Sequence, residues 1–325
     1  MEITEDQLVD VMLPAHAETE KRHSDQVVMS KEVIVPSQLN VPSTAPLLPP
    51  RAGCTPPLKW VGSKRWLVPM LAPAIYERLA VTRGRYIEPF LGGGAIALDL
   101  GLPGMILGDT CKPLITTYQA IRKSPAAVAW ALKALVDKGT DKESYLRVRA
   151  SESSSPVLAA ARFLYLNRFG FNGLYRENSK GKFNVPHGGD RSNASVPGVE
   201  MLEAVAQALK GADLRVADFR ETIAKATQGD VVYADSPYYE TFSDYTAGGF
   251  GEDEHFALAT ALFDACERGA VVIASNSDHE RIREFYAWAF VTPVHERHAV
   301  GATAERRGLR DAVLIVSDET ILRGA

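Results

Sequence analysis

The 325-residue sequence predicts a doubly wound α/β sheet with helices on both faces, and three observations carry that prediction. Short apolar runs alternate with helical patterns along the chain. Each run ends near a polar residue or a glycine. The apolar fraction of 46% and charged fraction of 23% suit a globular core, and no apolar stretch reaches the roughly 18 residues of a membrane span.

The strands are taken in chain order. "RYIEPF" (85–90) and "GMILGD" (104–109) come first, followed much later by "DLRVAD" (213–218), "DVVYAD" (230–235) and "AVVIASN" (270–276). A helical pattern such as "DEHFALATALFDACERG" (253–269) separates most neighbours, as the crossovers of a parallel sheet require. Two last runs, 290–300 and 311–318, pair as a β-hairpin at the sheet edge. The second and third strands are separated by a mostly helical stretch, too long for one crossover, which predicts an inserted subdomain. The predicted domains are therefore a flexible extension (1–52), a main α/β domain built from 53–115 and 206–325, and an insert at 116–205. The extension contains the Pro- and Ser-rich "VPSQLNVPSTAPLLPPRAG", which cannot build a core.

Charge separates these regions. Residues 1–55 hold eight acidic and four basic side chains, which accounts for the whole net charge of −4. Residues 116–200 hold thirteen Lys and Arg against seven Asp and Glu, so the insert is basic and suits a polyanion partner. The acidic N-terminus lacks a signal-peptide pattern, and three scattered cysteines (Cys54, Cys111, Cys266) form neither a disulfide framework nor a zinc site, which predicts a cytoplasmic protein. No metal cluster is expected: His295 and His298 fall three apart on a strand and so on opposite faces.

Four segments carry candidate chemistry. In "EPFLGGGAIAL" (88–98), Gly92 and Gly94 sit in a strand-to-helix turn where a backbone can approach a ligand, behind Phe90. Asp109 ends the second strand and suits ribose hydroxyls. Asp218 and Phe219 end the third and suit an adenine. Neither a GxGxxG nor a P-loop spacing is present, so the ordered acids fit a nucleoside ligand without phosphates, such as S-adenosylmethionine. "KWVGSK" (59–64) offers Trp60 to cover a ligand and Lys64 to hold its carboxylate. "YLNRFGFNGLYRENSKGKFNVPHGG" (165–189) interleaves aromatics with Arg, Lys and Asn, residue types that hold phosphates, read base edges and wedge into stacks. "VVYADSPYYETF" (231–242) puts Asp235, Ser236, Pro237 and Tyr238 at the end of the fourth strand.

Together these segments resemble the Dam-type, D12 class DNA adenine-N6 methyltransferases, in which Lys-Trp-x-Gly-Gly-Lys, Glu-Pro-Phe-x-Gly-x-Gly, the recognition insert and Asp-Pro-Pro-Tyr follow in this order. The resemblance spans about residues 56–318. It implies a Rossmann-like methyltransferase sheet with a helical target-recognition insert, acting as a monomer on double-stranded DNA with S-adenosylmethionine as methyl donor. Trp60, Lys64, Phe90, Gly92, Gly94, Asp109, Asp218, Phe219 and Asp235 would bind the cofactor. Lys59, Arg168, Phe171, Asn172, Leu174, Arg176 and Pro186 would contact DNA, with GATC as the implied target. The sequence departs from the family at Gly62-Ser63, at "DTC" after the second strand, at "HGGDRSN" ending the insert and at Ser236. The hairpin arginines Arg306, Arg307 and Arg310 match loosely.

The implied chemistry is consistent with the residue types. An adenine amino nitrogen is a weak nucleophile buried in the duplex, so the base must be flipped out. The Asp235 carboxylate and the Ser236 carbonyl would accept its two N–H bonds as positive charge develops. Tyr238 would stack on the base, and Pro237 would stiffen the turn. Two alternatives stay open at this point: a methyltransferase with another nucleic-acid target, and a DNA-binding protein with a degenerate fold, for which Ser236 is the motive.

Overall fold

The computed structural model describes residues 48–189, 194–239, 249–297 and 309–322. Most of the N-terminal extension, His298, Arg306 and Arg307 lie outside the described residues, as does the side chain of Arg310.

The chain opens with α1 (Val68–Thr82), which carries Pro69 in its first turn and is capped by Arg83 in the left-handed region. It continues through β1 (Tyr86–Glu88), α2 (Ala95–Leu100) and β2 (Ile106–Asp109). Between β2 and the next strand come α3 (Lys112–Lys123), α4 (Pro125–Asp137), α5 (Lys142–Ala150), α6 (Pro156–Phe169) and α7 (Val199–Ala208). Then come β3 (Asp213–Val216), α8 (Phe219–Ile223), β4 (Val231–Asp235), α9 (Glu252–Glu267), β5 (Val271–Ser277), α10 (Glu280–Phe285), β6 (Phe290–Arg297) and β7 (Leu309–Val316).

Among the described residues the strands form a seven-stranded sheet in the order β3-β2-β1-β4-β5-β7-β6. β1 to β5 run parallel, and β7 inserts antiparallel between β5 and the edge strand β6. The predicted hairpin therefore closes the sheet edge by pairing its second arm with β5.

The strand sequences explain the two-sided burial. Successive side chains point to opposite faces. In β4, Val231 and Tyr233 join one core with residues of α1, α2, α3, α4, α6 and α7. Val232 and Ala234 join the other, with residues of α8, α9 and α10. A strand covered on both faces reads as an unbroken apolar run, which is why alternation was absent from these segments.

The connectivity positions the site. The chain lays β1, β2 and β3 outward in one direction, then returns to place β4 and β5 on the other side of β1. In open α/β sheets ligands bind beyond the carboxyl ends of the strands at such a reversal, which here falls between β1 and β4.

Candidate active site and nucleic-acid interface

Packing fixes β4 from Val231 to Ala234, and Asp235 emerges half-buried at its carboxyl end. The Ser275 hydroxyl on β5 donates to Asp235 Oδ1 at 2.6 Å, and Lys64 Nζ lies 3.1 Å from the same oxygen. Lys64 is buried, so its ammonium needs such partners. It also donates to the Gly62 carbonyl at 2.7 Å and sits 4.5 Å from the centroid of the Tyr238 ring. The structure thus brings Lys64, Asp235 and Tyr238 together from the two ends of the sequence. Ser236 is buried, and its hydroxyl has no hydrogen-bond partner among the described residues.

The glycine turn lies beside this group. Gly92 adopts φ +47°, and a Cβ there would lie 2.8 Å from Cδ1 of Trp60, whose indole lies over the turn. Asp109 holds the turn in place. Its Oδ2 accepts the Gly92 N–H at 2.9 Å and its Oδ1 the Cys111 N–H at 2.8 Å. Burial raises the Asp109 carboxyl above its ordinary range, and these two backbone bonds oppose the rise. Gly94 ends the turn as the N-cap of α2. Glu88, at the end of β1, is buried and accepts the Tyr86 hydroxyl at 3.0 Å. Burial pushes its carboxyl well above the usual range, which favours the uncharged acid.

The third strand end leaves its acid partly exposed and buries its aromatic. Asp218 caps α8, accepting the Arg220 N–H at 2.8 Å, and pairs with the Arg220 guanidinium at 3.2 Å. Phe219 is buried, stacking on Phe90 at 5.5 Å and contacting Phe250 at 5.8 Å. Phe90 and Phe250 are both half-buried, and so lie nearer to solvent than Phe219.

The segment 165–189 divides into two parts. Arg168 belongs to α6, where its guanidinium donates to the Ser195 hydroxyl at 3.4 Å. A 3-10 turn, Phe171–Gly173, follows. Phe171 is 46% exposed and Asn172 adopts φ +54°, a left-handed conformation that Asn tolerates better than most residues. Beyond it a narrow ribbon is closed by the pairs Gly170–His187 and Glu177–Phe183. Within it Arg176 donates to the Asn184 side chain at 2.8 Å, and the Pro186 carbonyl accepts the Phe171 N–H at 2.9 Å. Leu174 follows the 3-10 turn, and Lys59 meets Gly173 from the neighbouring turn. The ribbon and the "KWVGSK" turn also touch through the Trp60 and Tyr175 rings, 6.2 Å apart.

Sequence reasoning missed the residues that brace the Asp235 loop. Asn276 Oδ1 accepts the Tyr239 N–H at 2.8 Å and the Ser277 N–H at 2.9 Å. His255 lies behind it, 3.4 Å from Asn276 Nδ2 and against the rings of Tyr239 and Phe250. Burial lowers the His255 imidazole to about 4, so it is neutral at pH 7. Ser275 and Asn276 were legible in principle, because they end β5 where the rule that exposes Asp235 also applies. Nothing local marks His255, which has the spacing of an ordinary core residue of α9.

Among the described residues, no group of three or more His, Cys, Asp and Glu is placed to hold a metal ion, and no helix is long and apolar enough to cross a membrane. A family model for D12 class N6 adenine-specific DNA methyltransferases matches residues 60–300. The chain is 34% identical over 266 residues to a DNA adenine methylase of Vibrio cholerae, covering 79% of this chain and 94% of that one. It is 30% identical over 272 residues to the type II methyltransferase M1.LlaDCHI of Lactococcus lactis subsp. cremoris, covering 80% and 94%. The retron Ec67 DNA adenine methylase of Escherichia coli is 31% identical over 264 residues, covering 80% and 90%.

Proposed function

This chain belongs to the D12 class of N6 adenine-specific DNA methyltransferases, and from that premise we propose that it methylates a flipped-out adenine of duplex DNA within GATC, using S-adenosylmethionine. The observation that carries the reading is the meeting of Asp235, Lys64 and Tyr238 beside the Gly92 turn, at the mouth between β1 and β4. A glycine turn roofed by an indole, with carboxylates on the flanking strand ends, fits a nucleoside with an amino-acid tail. Trp60, Lys64, Phe90, Gly92, Gly94, Asp109, Asp218, Phe219 and Asp235 would hold that group. When bound, S-adenosylmethionine supplies a methyl group on a sulfonium, open to one direct displacement without a covalent enzyme intermediate.

The protein's own residues handle the amine. Asp235 accepts one adenine N–H through its carboxylate and the Ser236 carbonyl accepts the other, so two fixed acceptors face the charge that grows on nitrogen. Pro237 stiffens the loop and Tyr238 stacks on the base, which supplies orientation. The three cysteines take no part; burial pushes the Cys111 thiol up to about 12, far from a reactive thiolate. On the DNA side, Arg168 holds phosphate, Phe171 and Asn172 enter the stack, Lys59 reaches a guanine, Leu174 and Arg176 meet the outer bases, and Pro186 contacts the DNA.

The test is a transfer assay with methyl-labelled S-adenosylmethionine on duplexes that contain or lack GATC, followed by nucleases that discriminate methylated GATC. Label and protection confined to GATC duplexes are expected. Label without protection would discard the GATC target, and label from duplexes lacking adenine would discard the base.

A further inference from the structure

We infer that Asn167 is a positioning residue that couples the cofactor side of the site to the sequence-reading turn; the inference rests on the functional reading above. Asn167 lies in the last turn of α6 and is 4% exposed. Its Oδ1 accepts the Lys59 N–H at 2.9 Å, and its Nδ2 donates to the Lys59 carbonyl at 2.7 Å and to the Gly173 carbonyl at 3.1 Å. The orientation of the amide follows from chemistry: a flipped amide would set its oxygen against two carbonyls and its NH2 against an N–H. A single side chain thus takes both backbone groups of Lys59, fixing that residue in position and rotation together.

The two clamped segments lead in different directions. Lys59 precedes Trp60, which lies on the Gly92 turn. Gly173 ends the 3-10 turn that presents Phe171 and Asn172. The segments have no room to slide past one another: Gly173 adopts φ +68°, and a Cβ there would lie 2.7 Å from Lys59 Cβ. A shift of Trp60 on ligand binding is therefore passed to the DNA-reading turn through Asn167. Such linkage is reciprocal, so cofactor binding and DNA binding should each strengthen the other.

The test measures the affinity of the full-length protein for a GATC duplex with and without saturating S-adenosylhomocysteine. In the unaltered protein the ligand should tighten binding by about fivefold or more, the lower end of typical site-to-site coupling. Asn167→Asp keeps the bond from Lys59 N–H but opposes a carboxylate oxygen to two carbonyls, and its coupling should fall below about twofold. Gly173→Ala wedges the same contact from the other side and should do likewise, which covers the case of an unfolded Asn167→Asp. Tyr165→Phe removes a different hydrogen bond of α6, from the Tyr165 hydroxyl to the Gly139 carbonyl at 2.7 Å, and should retain the coupling. Unchanged coupling in folded Asn167→Asp, absent coupling in the unaltered protein, or equal loss in Tyr165→Phe would each overturn the inference. Parallel transfer assays keep the readings apart: methylation with intact coupling in Asn167→Asp defeats only this inference, whereas no methylation by the unaltered protein defeats the functional reading.

Discussion

Strand β4 is bracketed by two aspartates, Asp230 before it and Asp235 at its end, which share little beyond residue type. Asp230 is 2% exposed. Its Oδ1 accepts the Arg85 backbone N–H at 2.6 Å and Arg85 Nε at 3.2 Å. Its Oδ2 accepts Arg85 Nη2 at 2.6 Å, the Thr227 N–H at 2.9 Å and the Thr227 hydroxyl at 3.1 Å. Asp235 instead accepts the Ser275 hydroxyl and pairs with the Lys64 ammonium. The contrast teaches how to sort carboxylates in a parallel sheet. One saturated by backbone and bidentate arginine at the amino end of a strand is scaffold. One met by side chains of neighbouring segments at the carboxyl end of a strand lies where such sheets bind their ligands.

The sharpest way to break this contrast is to delete each carboxylate. Asp235→Ala should lower methyl transfer by about a thousandfold or more, the scale for loss of a preorganised polar group. Its stability should suffer less, because Lys64 keeps the Gly62 carbonyl and the Tyr238 ring. Asp230→Ala should do the reverse. It leaves the backbone N–H groups of Arg85 and Thr227 without their acceptor, at about 1–3 kcal/mol for each, while the protein that remains folded at low temperature should transfer methyl groups at a near-normal rate. Urea titrations paired with single-turnover rates measure both quantities. Near-normal turnover in Asp235→Ala would refute the mechanism.

Acid separates the two ends next. At the Asp235 end, burial lowers the His255 imidazole from 6.5 to about 4. The unfolded chain then binds the proton more tightly than the folded one, so stability is complete above pH 6.5 and is lost as pH falls towards 4. The loss is at most about 3 kcal/mol, since each tenfold change in proton affinity is worth about 1.4 kcal/mol. At the Asp230 end, burial raises the carboxyl but the Arg85 and Thr227 bonds outweigh it, and the net displacement is downward from 3.8. Its contribution is complete above 3.8 and is lost only in stronger acid. His255→Leu should therefore flatten the stability profile between pH 6.5 and 4 and leave the more acidic limb in place. Hydrogen exchange at pH 5 should show the Tyr239 amide losing protection before the Val231 amide.

Much of this contrast was legible before any coordinates. Asp235 stood out because an apolar run stopped at a carboxylate and a proline turn followed. Asp230 was counted as the first residue of that run, since sequence shows that a strand begins but not what neutralises its first residue. Its partner, Arg85, precedes a different strand, and the two are neighbours only because β1 and β4 pair in parallel. The same holds for Asn167, whose role depends on Lys59, a residue distant in the chain. Asp218 shows the ambiguity of local pattern: an acid before an aromatic at a strand end describes an N-cap with a buried ring as well as it describes a ligand site. Local pattern reports strand ends and turns, and long-range pairing decides which polar groups are consumed by the fold.

The smallest expected effect concerns Ser236, the residue next to Asp235. Its side chain belongs to neither half of the contrast, being buried with a hydroxyl that has no partner among the described residues. The proposed reaction asks position 236 only for a backbone carbonyl, which serine and proline supply equally. Ser236→Pro restores the Asp-Pro-Pro-Tyr pattern of the family, removes a hydroxyl that is costly to bury unpaired, and fixes φ near −65°. Turnover should stay within about threefold, and stability should be unchanged or higher by up to about 1 kcal/mol. A loss of turnover beyond tenfold with stability intact would mean that the backbone here departs from the φ that proline demands. In that case the carbonyl of Ser236 points elsewhere, and Asp235 alone must hold the adenine amine.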